Sequence, residues 1–181
     1  MKYYISDLHI YHENVIRYDG RPFSDVDEMS IEIVRKWNST VKSDDEIYIL
    51  GDFAWKNSKG IEVLGKLKGI KFLIKGNHDR VTEELATYFE WVRDYAVIQD
   101  GNFEVVMSHY PIAHWYNQYR GAIHLYGHVH NTKDYYAFEK YKQICRDMGI
   151  PFNCCNVGCM MSYMDYAPKT IDDLIKSGAL Y

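Results

Sequence analysis

Residues 71–79 read KFLIKGNHD: Phe72, Leu73 and Ile74 in a row, then Lys75, Gly76, Asn77, His78 and Asp79. An apolar run this short, aromatic and β-branched in character and ended by a polar cluster, reads as a strand. Four other segments repeat the arrangement. Tyr3 to Ser6 leads into Asp7 and His9, Glu46 to Leu50 into Gly51-Asp52, Phe103 to Ser108 into His109, and Ala122 to Tyr126 into Gly127, His128 and His130. Five strands thus deliver metal-capable side chains just past their last apolar residue, and strand carboxyl ends gathered at one edge are where α/β folds build sites.

Between these strands the spacing is helical. Met29, Ile33, Trp37 and Val41 fall four apart and predict a helix over 27–41. Further helices are expected over 58–67, 82–89, 135–148 and 170–177, with Thr82 and Thr170 as N-caps and Gly149-Ile150-Pro151 ending the fourth. The early half alternates strand and helix as parallel α/β units do. Neighbouring strands near residues 95, 105 and 124 suggest antiparallel pairs later. A mixed α/β fold of two packed sheets flanked by helices follows, as one domain over 1–181, since no polar linker interrupts the chain. A chain of 181 residues removes roughly 70% of its extended surface from water on folding, enough for a substantial core.

Composition narrows the function classes. An apolar fraction of 47% and a charged fraction of 25% are ordinary for a globular domain and exclude a disordered or fibrous one. The formal charge of −4 offers no basic field for wrapping long or duplex nucleic acid, yet a local metal cluster still allows a small phosphorylated substrate. With no apolar run of membrane-spanning length and no signal-like start, a soluble cytoplasmic protein without membrane partners is expected. Cys145, Cys154, Cys155 and Cys159 lack the paired spacing of a zinc ribbon and read as free thiols.

The pairs Asp7/His9 and His128/His130 are each separated by one residue, so in extended chain both members face one side and can grip one cation or two adjacent ones. Carboxylate, amide and imidazole together suit Mn, Fe, Zn, Co or Ni better than Mg or Ca, which prefer oxygen shells. Two divalent ions against the charges of Asp7 and Asp52 leave a net cationic centre, which attracts phosphate and favours an ionised water.

These five blocks, D-x-H, G-D, G-N-H-D, a lone His and G-H-x-H, span residues 7–130 in the order that resembles the calcineurin-like metallophosphoesterase superfamily, and Asn156-Val157-Gly158 is similar to its last core strand. The resemblance implies a four-layer αββα sandwich with two divalent transition-metal ions at the strand ends. It implies that Asp7, His9 and His130 hold the first metal, that Asn77, His109 and His128 hold the second, and that Asp52 bridges both. A hydroxide between ions ~3.5 to 4 Å apart would then attack phosphorus in line. His78 would protonate the leaving oxygen, with Asp79 orienting it. Phe53-Ala54-Trp55 replaces the Asp-Arg-Gly of protein Ser/Thr phosphatases, and Asp79 replaces their Glu, so the chain looks more like the small bacterial phosphodiesterase branch.

Other residues admit two readings. His12 could orient a ligand or contact phosphate, or else cap its loop near Glu13. Arg17 and Arg21 could clamp substrate oxygens or be plain surface arginines. His114, Trp115, Tyr116, Tyr119 and Arg120 could wall a base-stacking surface, but packing among themselves is favoured. His124, inside a strand, reads as a satisfied core histidine, and Glu139, Lys140 and Lys142 as a solvated helix face. The function expected is hydrolysis of a phosphoester in a small or nucleotide-like substrate, a phosphodiester preferred over a monoester. The alternatives are a nuclease on short single strands and a non-catalytic scaffold of the same fold.

Overall fold

In the computed structural model, which describes residues 1–180, β1 (Lys2–Ile5), β2 (Glu46–Ile49), β3 (Ile70–Ile74) and the short β4 (Val92–Arg93) form one sheet in that order. Every pair in it is parallel. The second sheet runs β5 (Tyr95–Asp100), β6 (Phe103–Ser108), β7 (Ile123–Tyr126) and β8 (Cys154–Asn156). The helices are α1 (Glu13–Asp19), α2 (Val26–Thr40), α3 (Asn57–Leu64), α4 (Glu83–Ala86), α5 (Lys133–Asp147) and α6 (Ile171–Lys176).

The second sheet corrects the antiparallel expectation in part. β5 and β6 pair antiparallel through the tight turn at Gly101-Asn102, but β6 and β7 are parallel, as are β7 and β8. The reason lies in the connections: a two-residue loop can only reverse the chain, whereas the long segment 109–122 has room to cross over and bring β7 back in the same direction.

Strand alternation sorts the core into layers. Val105, Met107, Ile123 and Leu125 face the large central core shared with the first sheet, while Val106, Ala122, Tyr126 and Cys154 face a second cluster with Cys145 and Phe138 of α5 and with Trp115 and Phe152. Period two in a strand makes this division automatic. With α2 and α3 contributing Met29, Ile33, Trp37, Val63 and Leu64 to the central core, the layers run helix, sheet, sheet, helix.

The helix expected over 82–89 is shorter. Thr82 caps α4 by accepting from the Leu85 amide, and bonds from Tyr88 to Leu85 and from Phe89 to Ala86 then tighten the chain into turns that lead into β4. The charged face of α5 also differs from expectation at one position. Lys142 is buried, and its ammonium donates to the carbonyls of Cys154 and Ala179, tying α5 to β8 and to the chain's end. All four cysteines are free and buried.

Trp37 is the largest fully buried side chain, and its indole N–H donates to the Lys68 carbonyl at 2.9 Å. Trp37→Ala removes both the packing and the donor. The expected cost is about 3 to 5 kcal/mol of unfolding free energy, measured by urea denaturation with an unchanged slope.

Candidate metal centre

Parallel pairing places the carboxyl ends of β1, β2 and β3 at one edge of the first sheet, and those of β6, β7 and β8 at one edge of the second. Backbone bonds past the strand ends hold the loops together. The Asp7 amide donates to Gly51, the His9 amide to Asp52, the Gly127 amide to His109, and the Ser6 amide to Val157 across to the second sheet.

The chain is strained here. Asp7, His9, Asp52, His128 and His130 all have positive φ, between 48° and 68°. For residues with a Cβ each such conformation costs on the order of 1–3 kcal/mol, tolerated only where surrounding contacts over-determine it. Five of the seven expected ligands sharing this geometry marks the rim as built to aim side chains. Two glycines allow the crowding: a Cβ on Gly76 would land on the Asp52 carboxylate and amide, and one on Gly127 on the Asp7 carboxylate and Ser6 hydroxyl.

Donor atoms of Asp7, His9 and His130 lie within 4.8 Å of one another, as do those of Asp7, Asp52 and His109. Asp52 Oδ2 stands between the two groups, 3.6 Å from His9 Nε2 and 3.5 Å from His109 Nε2. Asn77 Oδ1 completes the second group, 3.0 Å from His109 Nε2 and 2.9 Å from His128 Nδ1. The rim therefore brings together all seven residues read as ligands from the sequence.

The chemistry of these atoms fits cations. His109 Nδ1 donates to the Leu50 carbonyl at 2.8 Å, which leaves Nε2 as a lone pair facing two oxygens. His130 Nδ1 lies 2.7 Å from Asp19 Oδ1, and its Nε2 points at His9 Nε2, 3.2 Å away, and at Asp7 Oδ1, 3.5 Å away. Converging acceptors repel unless a proton or a metal sits among them, and atoms ~2.1 Å from one ion are spaced about 3.0 to 3.4 Å apart. Without a cation, His130 takes the proton: burial opposes its charge, but hydrogen bonds to Asp19 and Asp7 outweigh that and push its pKa up to about 10. Burial lowers His9 to about 3, leaving the neutral imidazole that ligates metals. Burial works against ionised Asp7 too, yet the hydrogen bond and charge of His130 hold its carboxyl well below the usual range.

The remaining sequence candidates are placed as follows. His78 is exposed beside the cluster, its ring 5.5 Å from that of His9 and 5.3 Å from that of Trp55, while its amide donates to Asp52 Oδ1 at 2.8 Å. Asp79 does not orient the His78 ring. Its carboxylate is spent on the amides of Asp52, Phe53 and Gly76, which clamps the end of β2 to the end of β3. His12 stacks on Trp55 with centroids 4.0 Å apart and planes 7° apart. Arg17 is exposed, its guanidinium 5.4 Å from the Tyr18 ring. Arg21 cannot clamp substrate: it is buried, paired with Asp19 at 2.8 Å, and donates to the Leu8 and Asp7 carbonyls. Burying a guanidinium there braces the Asp7–Leu8–His9 turn against its strain. Trp115 is buried against Phe152 with its N–H on the Ala122 carbonyl, so the inward packing expected of the loop holds for Trp115, whereas His114, Tyr116, Tyr119 and Arg120 are exposed and line neither cleft beside the rim. His124 is a core histidine, between the Val106 carbonyl and the Ile112 amide.

Sequence reading missed Asp19, which holds both His130 and Arg21, and Ser6, whose hydroxyl donates to Asp7 Oδ2 at 2.6 Å. Gly20, in the left-handed region at the end of α1, is the one local signal that a helix ends beside Asp19. A carboxylate on the far nitrogen of a ligating histidine fixes its tautomer and raises its basicity. Asp19→Asn is therefore expected to weaken metal affinity about 10- to 100-fold, read by competition against a chelator of known affinity.

Two stacked sheets between helices, with buried carboxylates and imidazoles crowding one rim, define a metallophosphoesterase-type sandwich. The profile of the calcineurin-like phosphoesterase superfamily domain matches residues 2–171, and the chain belongs to that superfamily. It is 30% identical over 178 residues to an uncharacterized protein of Methanocaldococcus jannaschii, covering 96% of this chain and 89% of that one. It is 31% identical over 160 residues to the gene 66 protein of Mycobacterium phage L5, covering 71% and 77% respectively. Among solved structures, a protein of unknown function from Aquifex aeolicus superposes with a TM-score of 0.74 at 27% identity over 98% of both chains. No helix among the described residues is long and apolar enough to cross a membrane.

Proposed function

We propose that the protein hydrolyses a phosphodiester in a small or nucleotide-like substrate, using two divalent transition-metal ions. The observation that carries this reading is Asp52 Oδ2, at 3.6 Å from His9 and 3.5 Å from His109, which belong to two donor groups that meet at Asp7. Asp7, His9 and His130 would hold one ion, Asn77, His109 and His128 the other, and Asp52 both; the donor set suits Mn, Fe or Zn, and also Co or Ni. When bound, the ions supply positive charge for the phosphate oxygens and lower the pKa of water.

The chain's own groups do the rest. Asp79 and Arg21 keep the Asp52 and Asp7 turns in place through backbone bonds. His78, exposed at the rim and left out of the donor groups, is the proton donor for the leaving oxygen. Preference for a diester over a monoester is supported by the surroundings. A cleft of about 480 Å³ and a smaller one of about 220 Å³ share Trp55 and His78, so a phosphate at the rim has room for an arm on each side. Among the described residues Arg80 is the one lysine or arginine lining either cleft, which leaves the extra charge of a monoester poorly matched.

The test combines metal quantification with hydrolysis of bis-p-nitrophenyl phosphate, p-nitrophenyl phosphate and a single-stranded oligonucleotide. Chelated protein is expected to be inactive, and added Mn²⁺ to restore activity, highest on the diester and absent on the oligonucleotide. Two metals per chain with no hydrolysis of any ester would leave a metal-binding scaffold instead.

A further inference from the structure

The larger cleft is asymmetric in its chemistry: beside the histidines expected from the sequence it is walled by Trp55 and Tyr18, which are not among the candidate substrate contacts read from the sequence. Two large apolar rings on its lining are exposed, Trp55 at 47% of its free surface and Tyr18 at 65%. Both are braced by a neighbour. His12 lies flat on Trp55, with centroids 4.0 Å apart, and the Arg17 guanidinium sits 5.4 Å from the Tyr18 ring. A ring held by a partner on one side loses little freedom when a second flat group covers what remains exposed.

The cleft's polar groups include the side chains of Asn14 and Asp134, the latter in the first turn of α5, and no lysine or arginine lines it. Asp19 and Asp134 are its carboxylates; Asp19 is already paired with Arg21 and His130, so among the described lining residues the unpaired charge is that of Asp134, and no lysine or arginine stands there to draw in a second phosphate. A neutral arm with a flat face and hydrogen-bonding edges is what these walls can take. The volume, about 480 Å³, falls within the size range of small-ligand pockets and exceeds what a methyl or short alkyl arm would fill. His9, His128 and His130 of the rim line the inner end, so the arm's phosphate would stand at the donor groups.

We infer that this cleft is a nucleoside subsite, with Trp55 as its stacking platform and Tyr18 as its outer ring, and that the substrate is a nucleoside monophosphate ester and not a nucleoside polyphosphate. The inference rests on the phosphodiesterase reading and adds what occupies one arm. Base stacking on an exposed aromatic ring is sequence-tolerant, so the platform selects for a base without choosing which one.

Three chromogenic diesters with one leaving group test it on the Mn²⁺-loaded protein: the p-nitrophenyl esters of thymidine 5′-phosphate, of methyl phosphate and of phenyl phosphate. The thymidine ester is expected to exceed the methyl ester in kcat/KM by about 10- to 100-fold, the gain residing in KM, and Trp55→Ala should bring that ratio close to one. Saturation-transfer NMR on the zinc-loaded protein supplies a readout without turnover: signal on the base protons of thymidine 5′-monophosphate, lost in Trp55→Ala. Melting temperature checks that the half-exposed Trp55 is not a folding residue. Equal kcat/KM for the thymidine and methyl esters would overturn the subsite and leave the phosphodiesterase standing. A phenyl ester matching the thymidine ester would make the cleft an aryl site and overturn the nucleoside. Hydrolysis of none of the three by protein carrying two metals would sink the phosphodiesterase reading, and the subsite with it.

Discussion

Asp52→Asn should fold normally and lose about 10³-fold in phosphoester hydrolysis, with metal content falling from two ions per chain toward one. The two oxygens of Asp52 have separate duties, and the substitution splits them. Oδ1 accepts the His78 amide at 2.8 Å, and an asparagine carbonyl can do the same, so the loop keeps its anchor. Oδ2 faces His9 Nε2 and His109 Nε2, and an amide NH₂ in its place points hydrogens at both imidazoles. The variant can satisfy the metal-free cluster by hydrogen bonding while opposing a cation at the same position. Isothermal titration with Mn²⁺ and elemental analysis read the metal, and a thermal melt reads the fold. Full occupancy by two ions in the variant would remove Asp52 from its shared position.

The second large effect is expected at His78, where the signs differ. Among the described residues no hydrogen bond fixes its imidazole, and its structural bond runs through the backbone amide, which His78→Asn retains. Metal content should therefore stay at two per chain while kcat falls by about 10²- to 10⁴-fold. The loss should depend on the ester: large for an alkoxide leaving group, which must be protonated as it departs, and small for p-nitrophenolate, which leaves unassisted. A uniform loss across leaving groups would assign His78 to holding the transition state instead of donating a proton.

How far the chain could be read in advance depended on the range of each interaction. Strand identities were legible because Phe72-Leu73-Ile74 and its counterparts announce themselves within a few residues, and all five expected strands occur within a residue or two of their limits. The metal-capable residues were legible because each sits immediately after such a strand, in an order that resembles one superfamily. The helix α1 was not foreseen, since seven residues with two buried side chains carry too little periodicity.

By itself the sequence determined which residues stand at strand ends and that carboxylates, imidazoles and an amide capable of holding metal are among them, since strand propensity and donor chemistry are properties of short segments; the resemblance to the superfamily is what singles out seven as ligands. Only the tertiary structure decided that β6 and β7 run parallel, that Arg21 and Asp79 brace backbone turns and do not face substrate, that Asp19 stands behind His130, and that Trp55, not the loop at Trp115, walls the cleft. Each of these joins residues far apart in the chain, and which side chain a buried charge or ring meets is settled by how the sheets close on one another.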